Sequence, residues 1–104
     1  MKTAIEYLNE CAEVQKQRGE QYGKREVKER SFSAVATVFN AKTGYDLKGH
    51  HICLILQDLK DVRQYSCPDR FHEDSAVDKV SYASLWAEEI SKEHSKGKNN
   101  ETKK

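Results

Sequence analysis

The stretch Lys48 to Gln64, KGHHICLILQDLKDVRQ, decides the fold. Its first half is apolar nearly all round, through Ile52-Cys53-Leu54-Ile55-Leu56, and its second half narrows to Leu59 and Val62, a spacing that belongs to one face of a helix. Pro68 ends any continuation, because it has no amide hydrogen and its ring clashes with the preceding turn. The stretch is therefore expected to be the third and most buried helix of the chain. Its uninterrupted apolar run is far too short to cross a bilayer, which takes about 20 apolar residues.

On the N-terminal side, Ile5, Leu8, Cys11, Ala12 and Val14 recur at three- and four-residue steps, predicting a first helix from Thr3 to about Arg18. The acidic stripe Glu6, Glu10 and Glu13 beside them reads as the wet side of that helix. Gly19 and Gly23 then open a polar segment, RGEQYGKREVKER, which reads as a long loop. A second, shorter helix is expected from Ser31, carrying Phe32, Val35, Ala36, Val38 and Phe39, and stopped at Thr43-Gly44 by the usual left-handed terminator. After Pro68 a fourth helix is expected from Ser75 to about Glu93, with Val77, Val80, Ala83, Ala87 and Ile90 on one side and Tyr82, Leu85 and Trp86 adjacent. The remainder, SKGKNNETKK, has no apolar residue and reads as a disordered tail. The sum is an all-α chain: a small four-helix bundle-like domain over residues 1–94, followed by a charged tail over 95–104.

The composition agrees with a single small domain. The chain has 104 residues, 34% of them charged and 37% hydrophobic, with one proline. Eighteen Lys and Arg against seventeen Asp and Glu give no general pull toward DNA, RNA or anionic lipid, so neither nucleic acid nor membrane is an expected partner. Cys11, Cys53 and Cys67 are odd in number and show no zinc or CxxC spacing, which suits a reducing cytoplasm. No charged-then-apolar leader opens the sequence, and a soluble, unexported protein is expected.

Two carboxylate pairs are the candidates for chemistry: Asp58 with Asp61 on the third helix, and Asp74 with Asp78 at the start of the fourth. Each pair shares a helix face, and clustered oxygen ligands are what Mg2+ takes, so an ion held between the two helices is one reading. Lys60, Arg63 and Arg18 are the candidate phosphate-binding cations, with Tyr22 and Tyr82 close by in the pattern. The structural alternative is equally concrete. Ser75-Ala76-Val77-Asp78 fits a capping box, Asp74 can itself be a cap, and Asp58 and Asp61 can line a solvated face. His50 and His51 point about 100° apart on a helix and do not suit one ion. No Ser-His-Asp order, phosphate-cradling Gly-rich loop or HExxH motif is present.

The series Arg18…Tyr22-Gly23, Phe32…Val35-Ala36, Leu59-Lys60…Arg63 and Asp74-Ser75…Asp78…Tyr82 resembles a family of small all-helical phage and prophage proteins without an assigned activity, from about Arg18 to Trp86. Where members of that family have Gly-Tyr, this chain has Ser81-Tyr82. More distantly, two acidic pairs on consecutive helices are similar to the all-α nucleotide pyrophosphohydrolases of the MazG and dimeric dUTPase type, which bind Mg2+ through ExxE and ExxD. Here the pairs are DLKD and DSAVD, and Glu26 with Glu29 supplies an ExxE spacing inside the polar loop. The resemblance implies a phage accessory protein working in the host cytoplasm. Two expectations follow: nucleotide binding or hydrolysis with Mg2+, or non-catalytic binding of a host or phage protein. A homodimer is also expected, on the reading that Tyr82, Leu85 and Trp86 leave more apolar surface than one short bundle covers.

Overall fold

A computed structural model describes residues 1–23 and 31–102, with side chains for 1–18 and 31–96. Four helices and no strand occur among the described residues: α1 Ala4–Gly23, α2 Phe32–Thr43, α3 Gly49–Tyr65 and α4 Glu73–Thr102. The chain is all-α, as the helical periodicities predict. None of these helices is long and apolar enough to cross a membrane. The acidic pair Glu26 and Glu29, with most of the expected loop, lies outside the described residues.

Local chemistry explains most of the helix ends. At α1, Thr3 Oγ1 accepts from the Glu6 amide at 3.2 Å while Glu6 Oε1 accepts from the Thr3 amide at 3.1 Å, a reciprocal capping box. Glu6 thus belongs to the cap and not merely to a wet face. At the end of α2, Gly44 takes φ 81° and its amide donates to the Asn40 carbonyl at 2.8 Å. The Asn40 side chain then fixes Leu47, accepting from its amide at 2.8 Å and donating to its carbonyl at 2.9 Å, which folds the chain back toward α3.

Two helices run longer than expected. α1 passes through Gly19 to Gly23, because one glycine costs a helix interior only about 1 kcal/mol and Gln17, Arg18, Glu20 and Gln21 are good helix formers. α4 begins at Glu73 and continues past Glu93 to Thr102, so the segment read as a coil tail is helical backbone through that residue. It contains no proline, and Lys92 with Glu88 and Glu89, then Lys96 with Glu93, pair along the helix one turn apart.

The packing is an open arrangement around an α3–α4 hairpin. Gly49 lies against Glu89 and Lys60 against Asp78, so partners on α4 fall in number as those on α3 rise and the two helices are antiparallel. Among the described residues α1 contacts α4 alone, with Lys2 at Glu73, Cys11 at Val77 and Gln15 at Ser81 and Ser84, a rising series that makes it parallel to α4. α2 lies along α3, its Phe32 reaching the cluster that holds Leu85 of α4, and among the described residues α1 and α2 share no contact. The resulting body measures 52 × 31 × 29 Å.

This openness makes the core thin. Phe32, Cys53 and Leu85 are buried together, with Ile52, Leu56, Tyr82 and Trp86 packed against them. Tyr82, Leu85 and Trp86 therefore belong to the core, and they are not the spare apolar surface the sequence pattern suggests. The spare surface lies elsewhere. Leu54 and Ile55, in the run expected to be most buried, are exposed, as are Leu59 and Val62. Among the described residues α3 has α2 and α4 as neighbours, and its face opposite Cys53 meets neither.

Candidate functional site

Two of the four candidate aspartates meet lysines. Lys60 on α3 reaches Asp78 on α4 with Nζ to Oδ2 at 3.0 Å, and Lys79 on α4 reaches back to Asp61 on α3 with Nζ to Oδ1 at 2.7 Å. The two pairs cross the seam in opposite senses, so each helix contributes one cation and one carboxylate. Lys60 is buried, and its ammonium stands 6.0 Å from the centroid of the Tyr82 ring, whose negative face adds to the attraction. The hydrogen bond to Asp61 holds the Lys79 ammonium above its ordinary range, with Asp61, Tyr65 and Asp58 adding to the same field. Asp58 and Asp74 are exposed, and so are Arg63 and Arg18. The side chain of Tyr22 lies outside the described residues. Of the candidate set, the structure thus brings together Lys60, Asp78 and Tyr82, with Asp61 beside them through Lys79.

As placed, the four aspartates do not form one cluster of ligands. Among the described residues, no three His, Cys, Asp or Glu side chains gather as a group able to hold a metal. Asp61 and Asp78 already have an ammonium within 3.0 Å, and a second cation at either would compete with it. The same holds at the foot of α1, where Lys2 bridges Glu10 at 2.9 Å and Glu73 at 2.6 Å, a contact that raises the Lys2 ammonium well above its usual range.

The capping alternative also takes a different form from the one the sequence suggests. The helix start is at Glu73, so Ser75 lies inside the first turn and no box joins it to Asp78. His72 is the cap. Its Nδ1 accepts from the Ser75 amide at 3.3 Å and is hydrogen-bonded to the Ser75 hydroxyl at 2.5 Å, while its carbonyl accepts from the Ala76 amide at 3.2 Å. Ser75 is 2% exposed, sealed under this contact. At α3 an imidazole plays the reverse part: His51, the third residue of the helix, reaches back and accepts through Nδ1 from the amide of Lys48 at 2.8 Å. Sequence rules for caps look to Ser, Thr, Asp and Asn, and two imidazoles escaped them. The one available signal was the three-residue step from His72 to Ser75, the spacing of a cap to the third helical amide.

The α1–α4 seam is mostly polar. Cys11 donates its thiol to the Val77 carbonyl at 3.3 Å, and Gln15 bonds Ser81 Oγ and Ser84 Oγ, each at 2.9 Å. Ile5 and Leu8 remain exposed beside it. The hydroxyl–imidazole contact of Ser75 with His72 is sealed at its serine, which is out of reach of solvent. Cys11 and Cys53 are buried, and burial pushes both thiols up, Cys53 to about 11, which keeps them protonated and unreactive near neutrality.

No curated protein and no solved structure matches this chain. A family model does, for the domain of unknown function DUF6378, over residues 6–90. The matched region takes in α2 and α3 whole, most of α1 and α4, both lysine–aspartate pairs and the His72 cap. With residues 6–90 of its 104 inside that match, the chain belongs to the DUF6378 family.

Proposed function

We propose that this chain is a small helical accessory protein, of the phage type it resembles, that acts by binding another protein and carries out no chemistry of its own. One contrast supports the reading: Asp61 and Asp78, two of the four candidate carboxylates, are paired with lysines across the α3–α4 seam, whereas the apolar side chains suited to association are left uncovered. Val35, Val38, Leu54, Ile55 and Val62 are between 43% and 61% exposed. Single exposed apolar residues are ordinary on a protein surface, but several on two packed helices are the composition of an interaction face.

A second reading, nucleotide binding, has one observation behind it. Lys60, Asp78 and Tyr82, three residues that carry the resemblance to the phage proteins, converge in space. For Lys60 to serve a phosphate it would have to leave Asp78, and for Asp78 to serve Mg2+ it would have to lose Lys60.

A thermal-shift series separates the two. Nucleoside mono-, di- and triphosphates, with and without Mg2+, are expected to leave the melting temperature unchanged. A ligand present at a hundred times its dissociation constant adds about 2.7 kcal/mol, several degrees for a chain of this size. A Mg2+-dependent shift of that order, abolished by Asp78→Asn, overturns the binding-protein reading in favour of the nucleotide site.

A further inference from the structure

We infer that α1 is a strap: it parts from α4 as a unit while α2, α3 and α4 stay packed on one another, and in parting it uncovers a second face of α4. How α1 is held is independent of the binding reading above.

α1 takes no share in the apolar core. The buried cluster of Phe32, Cys53 and Leu85, with Ile52, Leu56, Tyr82 and Trp86 against it, draws on α2, α3 and α4 alone. Among the described residues α4 is the one helix that α1 touches, so a single seam holds it. Of the described side chains of α1 only Cys11 is buried, while Ile5 and Leu8 stay exposed. A helix that removes so little apolar surface from water loses little by leaving.

What joins the seam is polar. Lys2, at the foot of α1, bridges Glu10 and Glu73, the Cys11 thiol donates to the Val77 carbonyl, and the Gln15 amide bonds the hydroxyls of Ser81 and Ser84. Lys2 and both of its carboxylates are more than a third exposed, so water and salt screen the bridge. Ser84 is exposed as well, and water takes over its bond when the seam parts. Packing between these contacts is incomplete. An open hollow of about 450 Å3 lies along the seam, bounded by Leu8, Ala12 and Lys16 of α1 and by Val80 and Ser84 of α4. Close-packed interiors leave no gap of that size, so dispersion attraction across the seam is weak.

Parting leaves a defined surface. Val77, Val80, Ser81 and Ser84 fall at the three- and four-residue steps of one helix face, whereas Asp78, Tyr82 and Leu85 belong to the face that meets α3. α4 thus has one side committed to the core and another whose cover comes and goes with α1.

The two buried cysteines test this, since Cys11 sits in the strap seam and Cys53 in the core. The full chain carrying Cys67→Ser is treated with excess iodoacetamide at pH 8 under native conditions, and modification of each cysteine is followed by peptide mass spectrometry. Where reclosing outpaces labelling, each rate measures the open population at its own site. Cys11 is expected to react about 100-fold faster than Cys53, and its rate to rise less steeply with low concentrations of urea, because release of the strap exposes less surface than unfolding. Gln15→Ala is expected to raise the Cys11 rate about tenfold. Ile52→Val, in the core, is expected to raise the Cys53 rate about fivefold and leave the Cys11 rate unchanged. Equal rates and urea slopes at the two cysteines, or an Ile52→Val variant that speeds both alike, show that α1 opens only with the whole chain and overturn the strap. A Cys11 rate unmoved by Gln15→Ala overturns it too, since the thiol is then reached without the seam parting.

Discussion

Lys60 and Asp78 form an ion pair at 3.0 Å in which the lysine side chain is 10% exposed and the carboxylate 39%. The ammonium has been taken from water while its partner keeps part of its hydration. Such a pair is felt when one side is removed, because the buried charge is then left alone.

The first prediction contrasts the two crossed pairs. Asp78→Asn is expected to cost about 1–3 kcal/mol, below the 3–5 of a fully buried pair because the carboxylate still reaches water. Asp61→Asn removes the partner of an exposed lysine and is expected to cost no more than about 1 kcal/mol. Urea midpoints at one fixed protein concentration check this, and equal costs at the two positions would contradict the seam described here. Lys60→Met with Asp78→Leu is expected to recover most of the loss, since both charges are then absent.

His72 supplies the second. His72→Ala is expected to cost about 1 kcal/mol, the usual value of a helix cap, and His72→Asp to cost little or to stabilise, because a carboxylate accepts the same amide and suits the positive end of α4. Thermal unfolding at neutral pH measures both. A His72→Ala melting curve that overlays wild type shows that the imidazole is not the cap.

The third concerns the thiols. Cys67 is exposed while Cys11 and Cys53 are buried, so a thiol reagent at pH 8 is expected to modify one cysteine quickly and two only as the chain opens. With its thiol raised to about 11 by burial, Cys53 favours folding while protonated. That contribution is fully present below the unfolded value near 9 and is lost as pH rises through 11, a change on the order of 2 kcal/mol. Stability should fall over this window, and less steeply in Cys53→Ala.

How much of this was legible in the sequence depends on the kind of feature. Helix existence followed from periodicity, and Gly44 from its position after α2, because both are local. Which face each helix buries was not: Leu54 and Ile55 are as apolar as Cys53, and only the placement of α2 and α4 decides that Cys53 goes inside. The roles of Asp61 and Asp78 were hidden for the same reason. Each has its lysine on the other helix of the hairpin, and the antiparallel register that joins them is a tertiary fact. The spacing of the aspartates suggested ligands or caps because these are the roles a short window can display.

The fourth prediction separates two glycines. Gly44 has open space around it and φ 81°, so Gly44→Ala is expected to cost about 1 kcal/mol through backbone strain alone. Gly49 has ordinary backbone but no room: a methyl group there would meet Glu89 Oε1 and lie 3.2 Å from the Ser33 amide nitrogen. Gly49→Ala is expected to cost about 1–3 kcal/mol by crowding α2, α3 and α4. Adding Glu89→Ala should relieve much of the loss at residue 49 and none at residue 44, as denaturation midpoints will show.

The most direct test of the central claim, binding through apolar faces with Asp61 and Asp78 held by lysines, is an amide NMR titration of the 15N-labelled chain with Mg2+ and a nucleoside triphosphate. The account predicts that Mg2+ with the nucleotide leaves the amides of Asp58, Asp61, Asp74 and Asp78 in place. Saturable shifts at the four aspartates that require Mg2+ would contradict it.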